Sequence, residues 1–408
     1  MKPQKFKQTE IGEIPEDWDV KKFEKNLEVK GRIGWKGYAR TDLVDAGPLV
    51  IGGAEIKSVR YLDLSQAKHI LREKFEESPE IKLKDKDILL VTRGNLGYVG
   101  FFDKIIGEAT INPSIVILSE FKENPLFLFY YLISPQGNNE VMNLRSGSSV
   151  PAIYQSAVKQ LYYPSPPLPE QSAIASILSS LDAKIELNNQ MNKTLEAIGQ
   201  ALFKRWFVDE AKDGWKNGFL GDGNLTEIIG SGIDKFDGEK IYIATADVEN
   251  ANIINYNTKV TFESRPSRAN MALIPNSIWF AKMKESKKVF LVAPYNNLEM
   301  KNLIFSTGFT GLKVKPEALY YVWNFVNSNS FEILKDNLSI GTTMQGVNND
   351  LIKRIKLTIP DQETLKRFNE SVRSIYFRVY MNNLQNQSLA QIRDSLLPKL
   401  MSGQIRVE

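Results

Sequence analysis

The apolar residues of this chain follow two different periods. Short apolar runs broken by Gly, Asn, Asp and Pro fill residues 1–165 and 213–358, and they predict strands joined by turns. Residues 166–212 and 359–408 instead place an apolar residue at every third or fourth position, which predicts long amphipathic helices. The predicted order is an α+β unit, a long helix, a second α+β unit, and a second long helix with a C-terminal tail.

The second half of the chain repeats the first at a nearly constant offset. Pro169-Glu170-Gln171 opens the first helical pattern, and Pro360-Asp361-Gln362 opens the second one 191 residues later. Further upstream, Gly147-Ser148-Ser149 corresponds to Gly341-Thr342-Thr343, and Asp87-Ile88-Leu89 resembles Ser277-Ile278-Trp279. The common order of these matches indicates an internal duplication of one unit.

Both helical stretches carry a heptad seam typical of a coiled coil. A helix of ~35–40 residues is ~55–60 Å long, too long to fold back inside one small unit. We therefore expect an antiparallel pair with pseudo-two-fold symmetry that separates the two units. Asn188-Asn189 and Asn382-Asn383 lie in the middle of the seam and favour a fixed register. The predicted seam consists of Ile174, Ile177, Leu181, Met191, Leu195, Ile198 and Leu202 on the first helix, and Leu365, Phe368, Val372, Ile375, Val379, Leu389, Ile392 and Leu396 on the second.

The composition excludes much catalytic chemistry. The chain has 408 residues, a net charge of +4, no cysteine and one histidine, His69. Thiolate metal sites, cysteine nucleophiles and sites with two imidazoles are therefore excluded within one chain, and we expect no metal site. The most apolar run, residues 125–133, is shorter than the ~20 residues that a membrane-spanning helix needs. The opening residues lack a signal-peptide pattern, so we expect a cytosolic protein.

Motifs that would make the chain itself an enzyme are weak. Asn112-Pro113-Ser114 and Ala293-Pro294-Tyr295 match only part of the Asn/Asp-Pro-Pro-aromatic tetrad of a methyltransferase. Gly221-Asp222-Gly223 lacks the third glycine of a dinucleotide-binding loop. Glu55-Ile56-Lys57 and Glu80-Ile81-Lys82 fit half of many nuclease sites, but such triplets are common in a chain with 52 basic and 48 acidic residues. We expect no catalytic residue.

Five motifs resemble those of one protein family. They are IGEIPEDW at residues 11–18, DILLVTRG at 87–94, PLPEQ at 167–171, LFKRWFVD at 202–209 and LLPKLMSG at 396–403. With the internal repeat, they make the chain similar over nearly its whole length to the specificity subunit of type I restriction-modification systems.

The resemblance implies the partners and the division of labour. Residues 1–165 and 213–358 would be two target recognition domains, each reading half of a bipartite sequence in double-stranded DNA. The spacer helices, 166–212 and 359–408, would bind two methyltransferase subunits, which carry S-adenosylmethionine and methylate adenine N6. Restriction subunits with a motor, which use ATP and magnesium, would join them. The specificity subunit itself would hold no cofactor, catalyse nothing, and work in the prokaryotic cytoplasm, away from membranes.

Basic and polar loops of the two units are the predicted DNA contacts, because cations bind phosphates while polar side chains read base edges. The second unit has Met283-Lys284 where the first has Arg93-Gly94, so this loop need not do the same work twice. Because the loops differ while the scaffold is shared, we expect an asymmetric target. The predicted contacts are Lys30, Arg32, Lys36, Arg40, Arg93, Asn95, Arg145, Ser148 and Ser149 in the first unit, and Arg265, Arg268, Asn270, Lys282, Lys284, Lys287, Lys288, Thr342, Thr343 and Gln345 in the second.

The alternative interpretation is a non-catalytic coiled-coil scaffold. In that case the paired helices organise protein partners, and the basic loops are ordinary solvated surface. Salt-dependent binding to one split duplex sequence distinguishes the two interpretations, because only phosphate contacts release counterions.

Overall fold

The computed structural model of the chain describes residues 5–31, 37–103, 106–147, 149, 151–296, 300–341 and 345–407. Packing divides the chain into two compact units. The first contains Met1–Asn188 and Gln385–Glu408, and the second contains Asn189–Leu384. Each unit therefore includes a stretch of both long helices. No helix in these described ranges is both long enough and apolar enough to cross a membrane.

The first unit is built on two small sheets. Its strands are β1 Phe6–Thr9, β2 Gly12–Pro15, β3 Asp19–Lys22, β4 Glu28–Lys30, β5 Leu43–Ile51, β6 Lys68–Ile70, β7 Ile88–Val91, β8 Val99–Phe101, β9 Ala109–Ile111, β10 Ile115–Ser119 and β11 Tyr162–Ser165. One sheet is antiparallel and has the order β4-β10-β7-β8. The other has the order β6-β5-β9, with β5 and β9 parallel. β1 pairs with β2, and β3 pairs with β11.

The helices of the first unit pack on both of its sheets. They are α1 Phe23–Asn26, α2 Arg72–Glu76, α3 Pro125–Ile133, α4 Pro135–Asn143, α5 Gln155–Val158 and the start of α6 Leu168–Lys204. Asn124 caps α3 by accepting the N–H groups of Leu126 and Phe127, and Pro125 occupies the first turn, where it needs no donor. Nearly the whole of α3 is buried, in a core that also contains Trp18 and the C-terminal Leu400 and Met401.

The second unit repeats this plan. Its strands are β12 Lys216–Phe219, β13 Thr226–Ile228, β14 Lys240–Ile243, β15 Val248–Glu249, β16 Asn252–Ile253, β17 Lys259–Val260, β18 Ala269–Ala272, β19 Ser277–Ala281, β20 Val289–Val292, β21 Leu303–Ser306, β22 Phe309–Val314 and β23 Lys356–Ile359. Its helices are α7 Leu319–Val326, α8 Asn329–Asn337, α9 Asn349–Ile352 and the start of α10 Gln362–Met401. Short 3-10 turns span Arg40–Asp42, Pro79–Ile81, Thr245–Asp247, Pro294–Asn296 and Pro316–Ala318, and a π turn at Arg205–Asp209 follows α6.

Matching sheet orders confirm the predicted duplication. The order β13-β22-β19-β20 reproduces β4-β10-β7-β8 strand for strand. The parallel pair β14 and β21 likewise corresponds to β5 and β9, within a sheet of order β17-β14-β21-β18. The fold is α+β with an internal repeat.

The two long helices run antiparallel inside each unit. In the first unit Arg393 donates to Asp182 at 2.7 Å, and the Asn188 amide donates to Gln385 and Asn386 at 2.9 Å. In the second unit Asn382 donates to Asn192 at 2.8 Å, while the Trp206 and Phe368 rings lie 5.7 Å apart. Residue numbers rise on α6 as they fall on α10, as an antiparallel pair requires.

Three residues predicted on the seam are exposed. Ile177, Ile198 and Ile392 have exposed fractions of 36%, 43% and 47%. Polar residues take some of the buried positions on these helices instead: Tyr130 donates to the buried Asp182 of α6 at 2.6 Å. Of the other predicted positions, Ile174, Leu365, Phe368 and Val372 are buried, and Leu181, Met191, Leu195, Leu202, Ile375, Val379, Leu389 and Leu396 are partly buried.

Candidate nucleic-acid interface

The turn between β7 and β8, residues 92–98, carries two of the predicted contacts in the first unit. Arg93 and Asn95 are exposed there, and the Asn95 amide lies 3.4 Å from the carbonyl oxygen of Gly53. The Ile153 N–H donates to the Thr92 carbonyl at 3.1 Å. Ser146 pairs with Ala152, which precedes Ile153, so the exposed Arg145 lies on the same surface as the 92–98 turn.

The carboxyl ends of the parallel strands β5 and β9 complete this surface. After β5, the Gly52 N–H donates to the Glu55 carboxylate at 2.7 Å and closes a tight turn. After β9, the Ser114 N–H donates to Asn112 at 2.9 Å, and the Ser114 carbonyl accepts from the Thr92 N–H at 2.7 Å. Two turns and one hairpin tip therefore meet at one edge of the unit.

The second unit assembles the corresponding edge from the turn between β19 and β20, residues 282–288. The Lys282 N–H donates to the Gly308 carbonyl at 2.9 Å, as the Thr92 N–H does to Ser114 in the first unit. The Lys282 carbonyl accepts from the Val347 N–H at 3.0 Å, and the Lys284 N–H donates to the Gln345 carbonyl at 3.0 Å. Lys282, Lys284 and Gln345, predicted as separate contacts, thus lie together.

Gly308 joins the two basic clusters of this unit. A Cβ atom on Gly308 would lie 3.3 Å from the Arg268 guanidinium and 2.8 Å from the Thr245 methyl group. The Arg268 carbonyl accepts from the Thr307 N–H at 2.8 Å and from the Asn270 N–H at 3.0 Å. Arg268 and Asn270 therefore lie next to the 282–288 turn, although they precede it by more than ten residues.

Hydrogen bonds from α8 and from Thr245 support the 282–288 turn. The Lys335 side chain is fully buried and donates to the Ser286 carbonyl at 3.1 Å, while its ammonium also lies 2.7 Å from the Glu332 carboxylate. Asp336 accepts the Glu285 N–H at 3.1 Å. Lys288 donates to the Thr245 carbonyl at 2.6 Å, and Lys287 to Asn329 at 3.3 Å. These bonds fix the backbone, so the turn presents its remaining side chains from a rigid support.

The comparisons with known proteins agree with this arrangement. Residues 3–197 match the family model described as type I restriction modification DNA specificity domain. The chain is 28% identical to the type I restriction enzyme MjaIX specificity subunit of Methanocaldococcus jannaschii, over 99% of this chain and 97% of that protein. It is 26% identical to the type I restriction enzyme HindI specificity subunit of Haemophilus influenzae, over 79% of this chain and 87% of that protein. The chain is therefore similar, over nearly its whole length, to type I specificity subunits.

The fold has also been seen in this family. The S subunit of a type I restriction-modification system from M. genitalium superposes with a TM-score of 0.55 and 18% identity, over 94% of this chain and 96% of that one. The likeness extends through both units, whereas the family model matches residues 3–197 of this chain.

Five cations of this chain lie at these two edges without a partner among the described residues. They are Arg93 and Arg145 in the first unit, and Arg268, Lys282 and Lys284 in the second. Within the described ranges, none of their charged groups has an ion-pair or hydrogen-bond partner. Burial lowers the pKa of the Lys282 ammonium, and no carboxylate offsets that cost. Uncompensated cations on one rigid edge attract a polyanion.

Other predicted contacts are engaged elsewhere. Lys30 forms an ion pair with Glu28 at 2.7 Å on β4. The Gln155 side chain of α5 donates a hydrogen bond to the Val29 carbonyl of the same strand. Arg40 is exposed ahead of β5, at the opposite end of that strand from Gly52. Arg265 stacks on the Phe262 ring at 3.8 Å, so its guanidinium is occupied within its own loop. Ser149 is exposed, while Arg32, Lys36, Ser148, Thr342 and Thr343 lie outside the described residues.

Sequence reasoning missed the turns that follow the parallel strands. Residues 51–55, IGGAE, and 243–247, IATAD, form the same turn: the Ala244 N–H donates to Asp247 at 2.8 Å as Gly52 does to Glu55. The two runs are 192 residues apart, within the offsets of the other repeats. The repeat was therefore a usable signal, although only the isoleucine and one alanine are identical.

Proposed function

We propose that this chain is the DNA specificity subunit of a type I restriction-modification complex and reads a bipartite, asymmetric duplex sequence. One observation carries the proposal: the same edge of both units gathers unpaired cations on a hydrogen-bonded framework of loops. Its backbone contacts are shared, while its side chains differ between units. A shared frame with different side chains suits two related readers of unlike half-sites.

The proposed partners would cover the exposed apolar residues of the long helices. Leu187 and Ile198 on α6, and Phe377 and Ile392 on α10, are all more than 40% exposed. We propose that two methyltransferase subunits, which hold S-adenosylmethionine, bind over these residues, since exposed apolar surface of this kind marks protein contacts. Restriction and motor subunits using ATP and magnesium would join this complex in the prokaryotic cytoplasm. The chain itself would contribute recognition and no catalysis.

An exchange of units tests the proposal. Residues 1–165 are replaced by the corresponding unit of another member of the family, and the methylated sequence is determined in cells that also contain the methyltransferase. We expect the half of the methylated sequence read by the first unit to change, and the half read by the second unit to persist. A change in both halves would contradict modular reading. Assembly of the complex without any sequence-dependent methylation would favour the scaffold alternative.

A further inference from the structure

Three chain segments lie side by side at the recognition edge of the second unit. Gly346 forms antiparallel bridges with Met283 on one side and with Ile340 on the other. The Ile340 and Gly346 backbones exchange two hydrogen bonds of 3.0 Å. A Cβ on Gly346 would lie 2.8 Å from the Lys282 carbonyl, so glycine permits this close approach. The result is a small sheet formed by residues 282–284, 345–347 and 340.

Met283 and Ile340 project from the same face of this small sheet. Residues directly opposite each other in antiparallel bridges place their side chains on one face, and Gly346 between them adds none. From standard bridge spacings, the two Cα atoms are about 10 Å apart. Met283 is 42% exposed and Ile340 is 59% exposed. The structure therefore presents two apolar side chains to solvent, one on each side of a bare backbone.

The first unit has polar side chains at the same positions. Ser146 pairs with Ala152 as Ile340 pairs with Gly346, 194 residues later. Arg93 occupies the position of Met283, next to Thr92, whose carbonyl binds the Ile153 N–H. The repeat thus keeps the backbone of this small sheet and exchanges a polar pair for an apolar one. Packing within the unit does not require the exchange, because the apolar pair is exposed.

The charges around the apolar pair point to duplex DNA as its occupant. Lys282 and Lys284 precede and follow Met283 in the chain and therefore project from the other face of the small sheet, while Arg268 lies across Gly308. None of the three has an ion-pair partner among the described residues. In the major groove of a duplex, the apolar group on a base edge is the 5-methyl of thymine. An apolar pair at an edge that also carries these cations suits a base methyl group in a duplex whose phosphates the cations bind.

We propose that Met283 and Ile340 contact the 5-methyl group of a thymine in the half-site read by the second unit. This inference rests on the proposed function and goes further, since it names the base and the two residues that recognise it. Arg93 and Ser146 at the same positions would read a polar edge in the other half-site.

Replacing thymine by deoxyuridine tests the contact, because it removes only the methyl group and keeps base pairing. The complex of this chain with its methyltransferase is titrated with its target duplex, with deoxyuridine placed at one thymine of each half-site in turn. We expect about three- to fivefold weaker binding at one thymine of the second half-site, as for the loss of one buried methyl group. Deoxyuridine in the first half-site should leave the affinity unchanged.

Variants connect the methyl group to the two residues. With Met283→Ala/Ile340→Ala, the target with deoxyuridine in the second half-site should bind as tightly as the thymine target, because both partners of the methyl group are gone. Phe219→Ala is the matched control: this residue is 43% exposed and lies on β12, in a separate sheet. It should retain the full deoxyuridine penalty.

The outcomes separate this inference from the proposed function. No sequence-dependent binding of the wild-type complex would contradict the proposed function. Normal binding with no deoxyuridine penalty in the second half-site, or a penalty that persists in the double alanine variant, would overturn only the thymine contact. Loss of methyltransferase assembly in Met283→Ala would also overturn it, since the apolar pair would then be a protein contact.

Discussion

Arg406 fastens the C-terminal tail to the first unit. Its guanidinium donates to Asp17 at 2.7 and 3.0 Å and to Glu170 at 2.6 and 2.9 Å, and it lies 5.7 Å from the centre of the Trp18 ring. Glu170 is nearly buried, so removal of the cation would leave a carboxylate with one remaining side-chain donor, the Trp18 indole.

We predict that Arg406→Ala lowers the free energy of unfolding of the full chain by about 2–3 kcal/mol, because a buried carboxylate loses its charged partner. Lys212→Ala is the matched control, since Lys212 lies 194 residues earlier and binds the more exposed Asp361 at 3.3 Å. An exposed pair contributes about 0–1 kcal/mol. Urea denaturation at pH 7 compares the two variants, and equal losses would show that burial of Glu170 does not matter.

The effect of Arg406→Ala should depend on pH. Arg406 holds the pKa of Asp17 below its ordinary value through hydrogen bonds and charge. A carboxyl with a lowered folded-state pKa stabilises the fold above its unfolded pKa and loses that contribution as the pH falls. We therefore expect the difference between wild type and Arg406→Ala to shrink when urea denaturation is repeated below about pH 4.

The Asp87 carboxyl group should change stability with pH in the opposite direction to Asp17. Burial ahead of β7 raises its pKa to about 6, although its side chain accepts the Lys84 N–H at 2.8 Å. The folded state then binds more protons than the unfolded state between about pH 4 and 6, so this group lowers stability as the pH rises through that window. We predict that Asp87→Asn gains about 2 kcal/mol relative to wild type between pH 4 and 7. A difference that stays constant across denaturation curves in that range would exclude this titration.

At the scale of the elements, polar residues set the register of the helix pair. In the second unit Asn382 donates to Asn192 at 2.8 Å, and Asn192 donates to Asn383 at 2.7 Å. We predict that Asn382→Ala costs about 1–3 kcal/mol, because the Asn192 oxygen would be buried without a donor. The Asn192→Ala/Asn382→Ala double variant should cost less than the sum of the single changes. Strict additivity in urea denaturation would mean that the two amides act independently.

The 282–288 turn should supply phosphate contacts as well as the apolar pair. We predict that Lys282→Gln/Lys284→Gln lowers the slope of log affinity against log salt concentration by up to about 1.8, because each phosphate contact contributes about 0.9. Lys84→Gln is the control, since Lys84 is paired with Glu120 and precedes β7, at the end away from the 92–98 turn. An unchanged slope in the turn variant would remove these lysines from the interface.

The elements also show what the sequence could predict. The long helices, the asparagines between them and the duplicated sheets follow from periodicity and repetition, which are visible in one chain. The exposed Ile177, Ile198 and Ile392 could not be foreseen, because contacts from outside the pair decide which positions are buried. Gly199, for example, is buried against the Tyr376 hydroxyl, and a Cβ there would lie 2.3 Å from that oxygen. A heptad pattern contains no information on such contacts.

At the scale of the whole molecule, charge and loop composition indicated which loops are rich in cations. They did not indicate which of these loops lie close together in space. Arg268 and Lys282 both lie next to Gly308, which joins β21 to β22. Arg268 precedes β18, which pairs with β21, and Lys282 follows β19, which pairs with β22. Their proximity is therefore a consequence of long-range strand pairing. Arg265, only three residues from Arg268, is instead held on the Phe262 ring. Closeness in sequence therefore grouped Arg265 with Arg268 wrongly. The repeat offset, in contrast, correctly related the 92–98 turn of the first unit to the 282–288 turn of the second.

The long helices connect the two units along the chain, so their length should affect the target. We predict that inserting the same number of residues into α6 and α10 lengthens the gap between the two half-sites while the bases in each half remain unchanged. Sequencing of methylated genomic DNA from cells that carry the variant and the proposed methyltransferase partner measures the gap. A gap that does not respond to the insertion would show that helix length does not set the spacing.

Methylome sequencing of cells that contain this chain and the proposed methyltransferase partner tests the central claim most directly. The account predicts N6-methyladenine at one recurrent sequence made of two unlike halves separated by a constant number of unspecified bases. One uninterrupted or palindromic methylated sequence, or methylation without sequence preference, would contradict it.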